Sequence, residues 1–554
     1  MSNYYDLGSH TRTITTDSRP AQQWFDRGLN WLFGFNPELA SDCFRRGIEH
    51  DQDCGMLHWG LAYSSGSYYN QPWKKMTDLE LKGKLAQAYS SSRRAIDLST
   101  GSSKTETALI NALSARYQSA TPVAQECYSE WDDAYARSMK EVYLENPTDN
   151  DISSLYAEAL MCRTPWALWD LKTGAPAYGA STIEAIEVLE NAMERIKCDR
   201  CLQHPGILHM YIHVMEMSPF PERALKASDA LRQLVPDSGH LCHMPSHIDI
   251  RVGNYHDAII ANDRAICADR EYLKKEGPIN FYTLSRIHNF HFKIYASLFQ
   301  GNFFSALDAA NELIATTPEA LLRIEHPAMA DWMEPYIGMK AHVLIRFGKW
   351  SEIIAEELPQ DQELYCTTTA LWHYAKTIAH AATANVKAAE AQRELFYSAV
   401  ENVPETRYLF NNSCKSILEI ADNMLNGEIE YRKQNYQQAF EYLRTAVYLD
   451  DNLKYDEPWG WMQPARHALG ALLLEQGYVE EALSTYRADL GLDETLVSTS
   501  QHHDNLWSLH GYAECLNRLG RHQEAKQVTK RFDLARARAD IEINASCYCR
   551  IHTA

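Results

Sequence analysis

The chain has 554 residues, of which 53 are Lys or Arg and 73 are Asp or Glu, so its formal net charge is −20. Nucleic acids and anionic membranes are bound by clustered cations, and this acidic chain without a block of Lys or Arg argues against both partners. An apolar leader and a membrane-length apolar run are both missing from the sequence, and the 13 cysteines are scattered, so we expect a cytoplasmic globular protein.

From the N-terminus onward, Ala, Leu, Glu and Arg recur with helical spacing, and strand patterns are rare, which predicts an all-α chain. A repeat that begins at Ala21 has Gly28 at position 8, Ala40 at position 20 and Phe44 at position 24. Small residues at positions 8 and 20 let paired helices approach closely, and an aromatic residue at position 24 fills the gap. The spacing resembles that of tetratricopeptide repeats (TPR), which implies a helical solenoid.

The second predicted segment, residues 65–204, fits this register poorly after the N-terminal repeats of residues 1–64. Aromatic residues are frequent at 63–75 and 163–179. We expect these stretches to be loops or insertions on a helical frame, where binding functions usually lie.

The third segment, residues 205–350, contains repeats that begin at Pro205, Gly239 and Ile287. The TPR resemblance implies that positions 2, 5, 9 and 12 of the first helix of each repeat line a concave groove. Seven of these twelve positions are histidines, although the whole chain has only 22. They are His209, His213, His240, His243, His247, His288 and His291.

Two pairs among these histidines, His209 with His213 and His243 with His247, are spaced to share one helix face, as metal ligands do. Imidazoles without thiolates suit copper, iron or zinc, and the number of histidines allows one metal ion or two. Glu216 lies one helical turn after His213 and is expected to act as a general base or a further ligand. Two alternatives stay open: a polar groove that binds an anionic peptide, and an ion pair of Glu216 with Arg223 or Arg251.

Residues 351–419 read as irregular helical repeats, and residues 420–554 as C-terminal TPR repeats and a tail. In the last of these segments Gly470 and Tyr486 fall at positions 8 and 24. A separate zinc site on Cys198, Cys201 and His204 is disfavoured, because no fourth ligand has the spacing of a zinc finger.

Longer strings at 204–225, 239–258 and 288–292 resemble a group of microbial TPR proteins with HPGxxHxYIHxxE and GHLxHMPSHI motifs and no settled activity. The chain departs from that group at His467 and Trp459, where Gln and Pro are expected. The resemblance implies one set of site residues, namely His58, His209, His213, Glu216, His243, His247, His288 and His291.

We therefore predict a metal-dependent oxidoreductase that acts on a small molecule, with copper as the first choice and iron or zinc as alternatives. Trp59, Tyr211, Tyr295 and Arg251 are expected to contact the substrate, and Glu216 to be catalytic. Two other functions stay open, a zinc hydrolase or lyase on the same histidines and a non-enzymatic scaffold that binds a peptide partner.

Overall fold

The computed structural model describes residues 4–197 and 203–550 and confirms the all-α fold class. In this part of the chain, regular structure other than helix is limited to isolated bridges and a hairpin, β1 (Tyr408–Leu409) paired with β2 (Asn412–Ser413). Consecutive helices pack against each other, as in a TPR-type solenoid.

The chain forms two compact units, Met1–Ile248 with Arg264–Lys274 and Asp249–Asp263 with Lys275–Ala554. Helices α1 to α11 belong to the first unit, and the division passes through α12 and α13. The helices up to this division are α1 (Arg19–Phe33), α2 (Pro37–His50), α3 (Gly55–Ser64), α4 (Asp78–Leu98), α5 (Lys104–Ser114), α6 (Gln125–Glu145), α7 (Asn150–Met161), α8 (Thr182–Lys197), α9 (Pro205–Glu216), α10 (Leu225–Leu231), α11 (Gly239–His243), α12 (Pro245–Arg251) and α13 (Tyr255–Glu276).

The second unit continues with the remaining helices. They are α14 (Thr283–Gln300), α15 (Phe303–Ala315), α16 (Glu319–Leu322), α17 (Met329–Met333), α18 (Met339–Arg346), α19 (Trp350–Ala355), α20 (Cys366–Ala382), α21 (Val386–Glu401), α22 (Cys414–Arg432), α23 (Tyr436–Asp451), α24 (Ala465–Glu475), α25 (Val479–Asp489), α26 (Leu506–Arg518) and α27 (His522–Arg536).

The repeat markers pack as their register predicts. A Cβ added to Gly28 would lie 2.7 Å from the ring of Phe44, and one added to Gly60 would lie 2.4 Å from the same ring. In the second unit, Gly470 has the same relation to the ring of Tyr486, at 2.6 Å. Small residues at position 8 therefore make room for the aromatic residue at position 24, which explains the TPR-like helix pairs.

The two aromatic-rich stretches form connections between helices. Residues 65–72 lead from α3 to a short 3-10 turn at Trp73–Lys75, and residues 162–181 connect α7 to α8. None of the described helices is both long and apolar enough to cross a bilayer. The five-segment division of the chain stays a prediction.

Candidate metal centre

Helix α9 carries four of the predicted site residues, His209, Tyr211, His213 and Glu216. It begins with Pro205 after the N-cap His204, a position where the missing proline N–H costs nothing. Every residue of α9 is buried, and its spacing places His209, His213 and Glu216 along one side. The register indicates a groove-lining face, whereas the structure encloses these side chains in the first unit.

Helices α11 and α12 supply the other histidines of this site. Pro245 begins α12 and separates His243, the last residue of α11, from His247. Although the helix is interrupted at this proline, the imidazoles of His243 and His247 meet, with ring centroids 4.7 Å apart.

His209, His213 and His240 form a first group of candidate ligands. One ring nitrogen of each lies within 4.8 Å of those of the other two, and the Nε2 atoms of His209 and His240 are 3.0 Å apart. The three residues are 0%, 0% and 5% exposed. The sequence left the membership of His240 open, and the structure places it in this group.

His243 and His247 form an adjoining pair, with their Nε2 atoms 2.7 Å apart. The ring centroids of His240 and His243 are 6.0 Å apart, and those of His213 and His247 are 5.9 Å apart. We call His209, His213, His240, His243 and His247 together the histidine cluster.

Neighbouring acceptors fix the protons of His209 and His213 on Nδ1. The Nδ1 atom of His209 lies 2.6 Å from the carbonyl oxygen of Phe33, which can only accept. The Nδ1 atoms of His213 and His247 lie 3.0 and 2.7 Å from the two carboxylate oxygens of Glu216. A neutral imidazole protonated at Nδ1 keeps its lone pair at Nε2, so the Nε2 atoms of these rings are acceptors or metal ligands.

Ser246 fixes His243 in the same way. Its hydroxyl donates to the carbonyl oxygen of His243 at 2.6 Å, so its oxygen accepts from His243 Nδ1 at 3.3 Å. The Nε2 atoms of His243 and His247 lie 2.7 Å apart, within hydrogen-bond distance of each other, and a metal ion bound there would replace this contact.

Burial keeps His209, His213 and His240 neutral by lowering their pKa values. It lowers the pKa of His209 and of His240 well below the usual value, and the neighbouring imidazoles lower both further. Burial also lowers the pKa of His213, although Glu216 opposes it. The neutral form is the one that binds metal ions.

Glu216 is fully buried between two imidazoles. Burial favours its neutral form, but His213 and His247 outweigh this effect and hold its pKa below the usual value. The predicted alternative of an ion pair with Arg223 is not found in the structure, because Arg223 binds Glu190, with 2.5 Å between Nη2 and Oε1. The carboxylate thus contacts the Nδ1 side of the rings, away from the Nε2 atoms.

Three aromatic residues that the sequence did not single out surround the first group. The ring of Phe35, in the α1–α2 connection, lies 4.4–5.6 Å from the three imidazole rings. Tyr69 and Trp166, from the two aromatic-rich connections, lie 5.0 and 6.0 Å from the ring of His213. The frequent aromatic residues at 63–75 and 163–179 were the sequence signal that could have identified Tyr69 and Trp166. Phe35 belongs to no sequence pattern that could have identified it.

The hydrogen bond of His58 is made to a residue outside the histidine cluster. His58 is half-buried on α3, and its Nε2 lies 3.1 Å from the carbonyl oxygen of Gln52. Among the described residues, none of the groups of converging ligand atoms includes it. The neighbouring Trp59 is buried against Tyr63, with ring centroids 5.3 Å apart. These positions do not support the predicted roles of His58 and Trp59.

Tyr211 is turned away from His209 and His213 and towards α8. Its hydroxyl donates to Glu190 on α8 at 2.6 Å, and Arg223 binds the same carboxylate. The reason is helical geometry, because two residues along a helix correspond to about 200° of rotation from His209. The predicted contact of Tyr211 with substrate is therefore not supported.

Four predicted site residues belong to the second unit. His291 Nε2 lies 2.8 Å from the sulfur of Met462, and burial lowers the pKa of His291 to about 3. His288 packs against the rings of Phe292 and Phe410. Membership of His288 and His291 in one ligand set with the first unit stays a prediction.

Tyr295 and Arg251 are the other two predicted site residues of the second unit. Tyr295 is buried, with its hydroxyl 3.1 Å from His502 Nε2, and Arg251 donates to the Ser498 hydroxyl at 2.9 Å. The predicted contacts of Tyr295 and Arg251 with substrate stay predictions.

His467 is part of a buried hydrogen-bond network in the second unit. Arg346 donates to its Nδ1 at 2.7 Å, so its Nε2 carries the proton and donates to Asp489 at 2.8 Å. Both ring nitrogens of His467 are therefore engaged in this network.

A second converging group in the first unit consists of His10, Asp151 and His204. The backbone N–H of Ile207 donates to His204 Nδ1 at 3.2 Å, so the proton of His204 lies on Nε2 and is donated to Asp151 at 3.1 Å. In this tautomer each ring nitrogen of His204 makes a hydrogen bond, so the ring is arranged for hydrogen bonding rather than for a metal ion. Cys198 and Cys201 lie outside the described residues.

Comparisons with known proteins give no family. No family model matches the chain, and no curated protein matches it. Solved structures with related helical arrangements include yeast Tom70, with 12% identity over 92% of this chain and 96% of that one and a TM-score of 0.31. Human IFIT1 with m7Gppp-AAAA has 13% identity over 90% and 94%, with a TM-score of 0.33. Naa15/Naa10 bound to HypK-THB has 13% identity over 93% and 71%, with a TM-score of 0.21.

Proposed function

We propose that the histidine cluster holds a transition metal and that the chain is a metal-dependent oxidoreductase acting on a small molecule. The observation that carries this proposal is His213 Nε2, a buried atom without a hydrogen-bond partner that converges with nitrogens of His209 and His240. Three imidazoles are a common ligand set for copper, zinc and non-haem iron. The close pair of His243 and His247 supports a second ion or a larger shared site.

Glu216 is assigned as a positioning residue in this proposal. Its two carboxylate oxygens lie next to Nδ1 of His213 and Nδ1 of His247. Carboxylates in this position fix the tautomer of a ligating histidine and increase its basicity. The general base or further ligand predicted from the sequence is the alternative role of Glu216, and a base would have to reach the substrate from the far side of the ligands.

Burial distinguishes this function from peptide binding by the same histidines. The five residues of the histidine cluster are at most 5% exposed, so a peptide cannot reach them without opening the first unit. A copper or iron ion bound there supplies one-electron redox chemistry, whereas zinc supplies Lewis-acid chemistry. The aromatic rings of Phe35, Tyr69 and Trp166 pack against the imidazoles and make the surroundings of the site apolar.

Redox cycling tests the oxidoreductase proposal. We expect the metal-free chain, reconstituted with one copper salt, to lose its visible copper(II) absorbance on addition of ascorbate and to regain it in air over repeated cycles. The zinc-loaded chain, which has no redox chemistry, is the blank, and His213→Ala is the matched variant that should not cycle.

If the copper-loaded chain does not cycle and the chain binds zinc tightly, the zinc hydrolase or lyase would be favoured instead. Because copper binds most nitrogen sites more tightly than other divalent ions, the metal content of chain purified from its own cells must accompany this test.

A further inference from the structure

A buried arginine with unused donors lies in the first unit, outside the histidine cluster. Arg116 follows α5 and is 0% exposed, yet none of its three side-chain nitrogens has a hydrogen-bond partner. The closest carboxylate oxygen in an ion pair with it is Asp132 Oδ1, 3.6 Å from Nε. A fully buried guanidinium without hydrogen bonds is costly, so such a group commonly serves a ligand.

The groups around Arg116 are also incompletely used. The hydroxyls of Tyr117 and Tyr135 and the Oε1 atom of Glu158 are buried without hydrogen-bond partners. The guanidinium carbon lies 5.0 Å from the ring centroid of Tyr135 and 5.7 Å from that of Tyr63. We call Arg116, Tyr117, Tyr135 and Glu158 the Arg116 cluster; its members come from the end of α5 and from α6 and α7.

The Arg116 cluster has more hydrogen-bond donors without partners than acceptors, and this excess indicates what it binds. A guanidinium and two phenols offer several N–H and O–H donors in a small space, and only Glu158 offers a buried acceptor without a partner. Burial raises the pKa of Glu158, and burial raises the pKa of Asp132 to about 6. One guanidinium beside two carboxyl groups suits a monoanion better than a phosphate dianion, and its planar fork matches a carboxylate.

Tyr69 connects the Arg116 cluster to the candidate metal centre. The carboxyl group of Glu158 accepts from the hydroxyl of Tyr63 and from the backbone N–H of Tyr69. The ring of Tyr69 lies 5.0 Å from that of His213. Tyr69 therefore contacts both the Arg116 cluster, through Glu158, and the histidine cluster, through His213.

We propose that the Arg116 cluster binds the carboxylate of a small organic acid, which makes carboxylic acids the substrate class of the histidine site. The substrate assignment rests on the proposed function, whereas carboxylate binding itself does not require a metal. The guanidinium pairs with both carboxylate oxygens, and the phenols of Tyr117 and Tyr135 donate to them.

The test measures binding of sodium acetate, benzoate and succinate to the metal-free chain, with sodium chloride at equal ionic strength as the reference. Thermal shift and tryptophan fluorescence are the readouts, after long equilibration because the site is buried. We expect at least one carboxylate to bind in a saturable manner, Arg116→Lys to weaken it about tenfold, and Tyr135→Phe to weaken it less.

The Tyr135→Phe variant keeps the fold testable, because removal of a buried hydroxyl without a partner does not destabilise the protein. Arg45→Lys, an exposed arginine paired with Asp42, is the control and should bind like the wild type. Equal binding by wild type and Arg116→Lys, or a shift with chloride alone, would overturn the proposal. Metal binding measured in the Arg116→Lys variant separates the two proposals, since that variant should retain it.

Discussion

Replacement of His213 by alanine is expected to lower the metal affinity by about 100-fold or more, with the far-ultraviolet circular dichroism of the chain unchanged. The Nε2 atom of His213 is buried without a hydrogen-bond partner, so its lone pair has a use only as an acceptor or as a ligand. The same substitution at His243 should also lower the affinity, because its Nε2 lies 2.7 Å from that of His247. Equilibrium dialysis with copper, zinc and iron measures the effect.

The matched control for this experiment is His58→Ala. His58 is a half-buried histidine on a helix of the same unit, and its imidazole lies next to the carbonyl oxygen of Gln52. We expect this variant to bind metal like the wild type. Equal losses in His58→Ala and His213→Ala, or unfolding of His213→Ala without a specific loss of metal, would show that the histidine cluster is only a structural core.

The second large effect concerns Glu216→Gln. The carboxylate accepts from His213 Nδ1 and lies 2.7 Å from His247 Nδ1, whereas a glutamine would turn its amide N–H₂ towards one of the two imidazoles. Either His213 or His247 must then move its proton to Nε2, which removes that nitrogen from the ligand set. We expect the metal affinity to fall by about 10- to 100-fold, as for other carboxylates that orient ligating histidines.

Glu190→Gln is the control for this second prediction. Glu190 lies on α8 and pairs with Arg223 and Tyr211, so its loss should leave metal binding unchanged. Calorimetric titration of both variants with the metal found in the native chain gives the comparison. An unchanged affinity in Glu216→Gln would remove Glu216 from the site, and retained affinity with a large loss of turnover would instead restore it as the general base.

The repeat architecture was predictable because it depends on the size of the side chains at fixed positions of each repeat. Gly28 and Phe44 stand in the sequence at the spacing that their contact requires, so the helix pairs follow from composition at fixed positions. The pairing of His209 with His213 was predictable for the same reason, since a turn of helix separates residues four apart, whereas the contact of His243 with His247 crosses the break at Pro245. The sequence could not show that these residues are enclosed, because burial depends on the α1–α2 connection and on the two aromatic-rich loops.

The individual roles within the site were less predictable. The role of Glu216 depends on which ring nitrogen it meets, and that choice follows from the rotamers of His213 and His247 rather than from spacing. Tyr211 was placed in the substrate site by its type, although its helix rotation directs it to Glu190. Arg116 has no sequence pattern at all, because only the tertiary structure shows that its donors are unused.

The most direct test of the central claim is the metal content and ligand shell of untagged chain purified from its own cells. Elemental analysis by inductively coupled plasma should find one or two copper, iron or zinc ions per chain. X-ray absorption at the edge of that metal should show a first shell of imidazole nitrogens without sulfur. A chain with no metal, whose affinity for all three ions is weaker than micromolar, would contradict the account, as would a bound metal whose shell contains no imidazole.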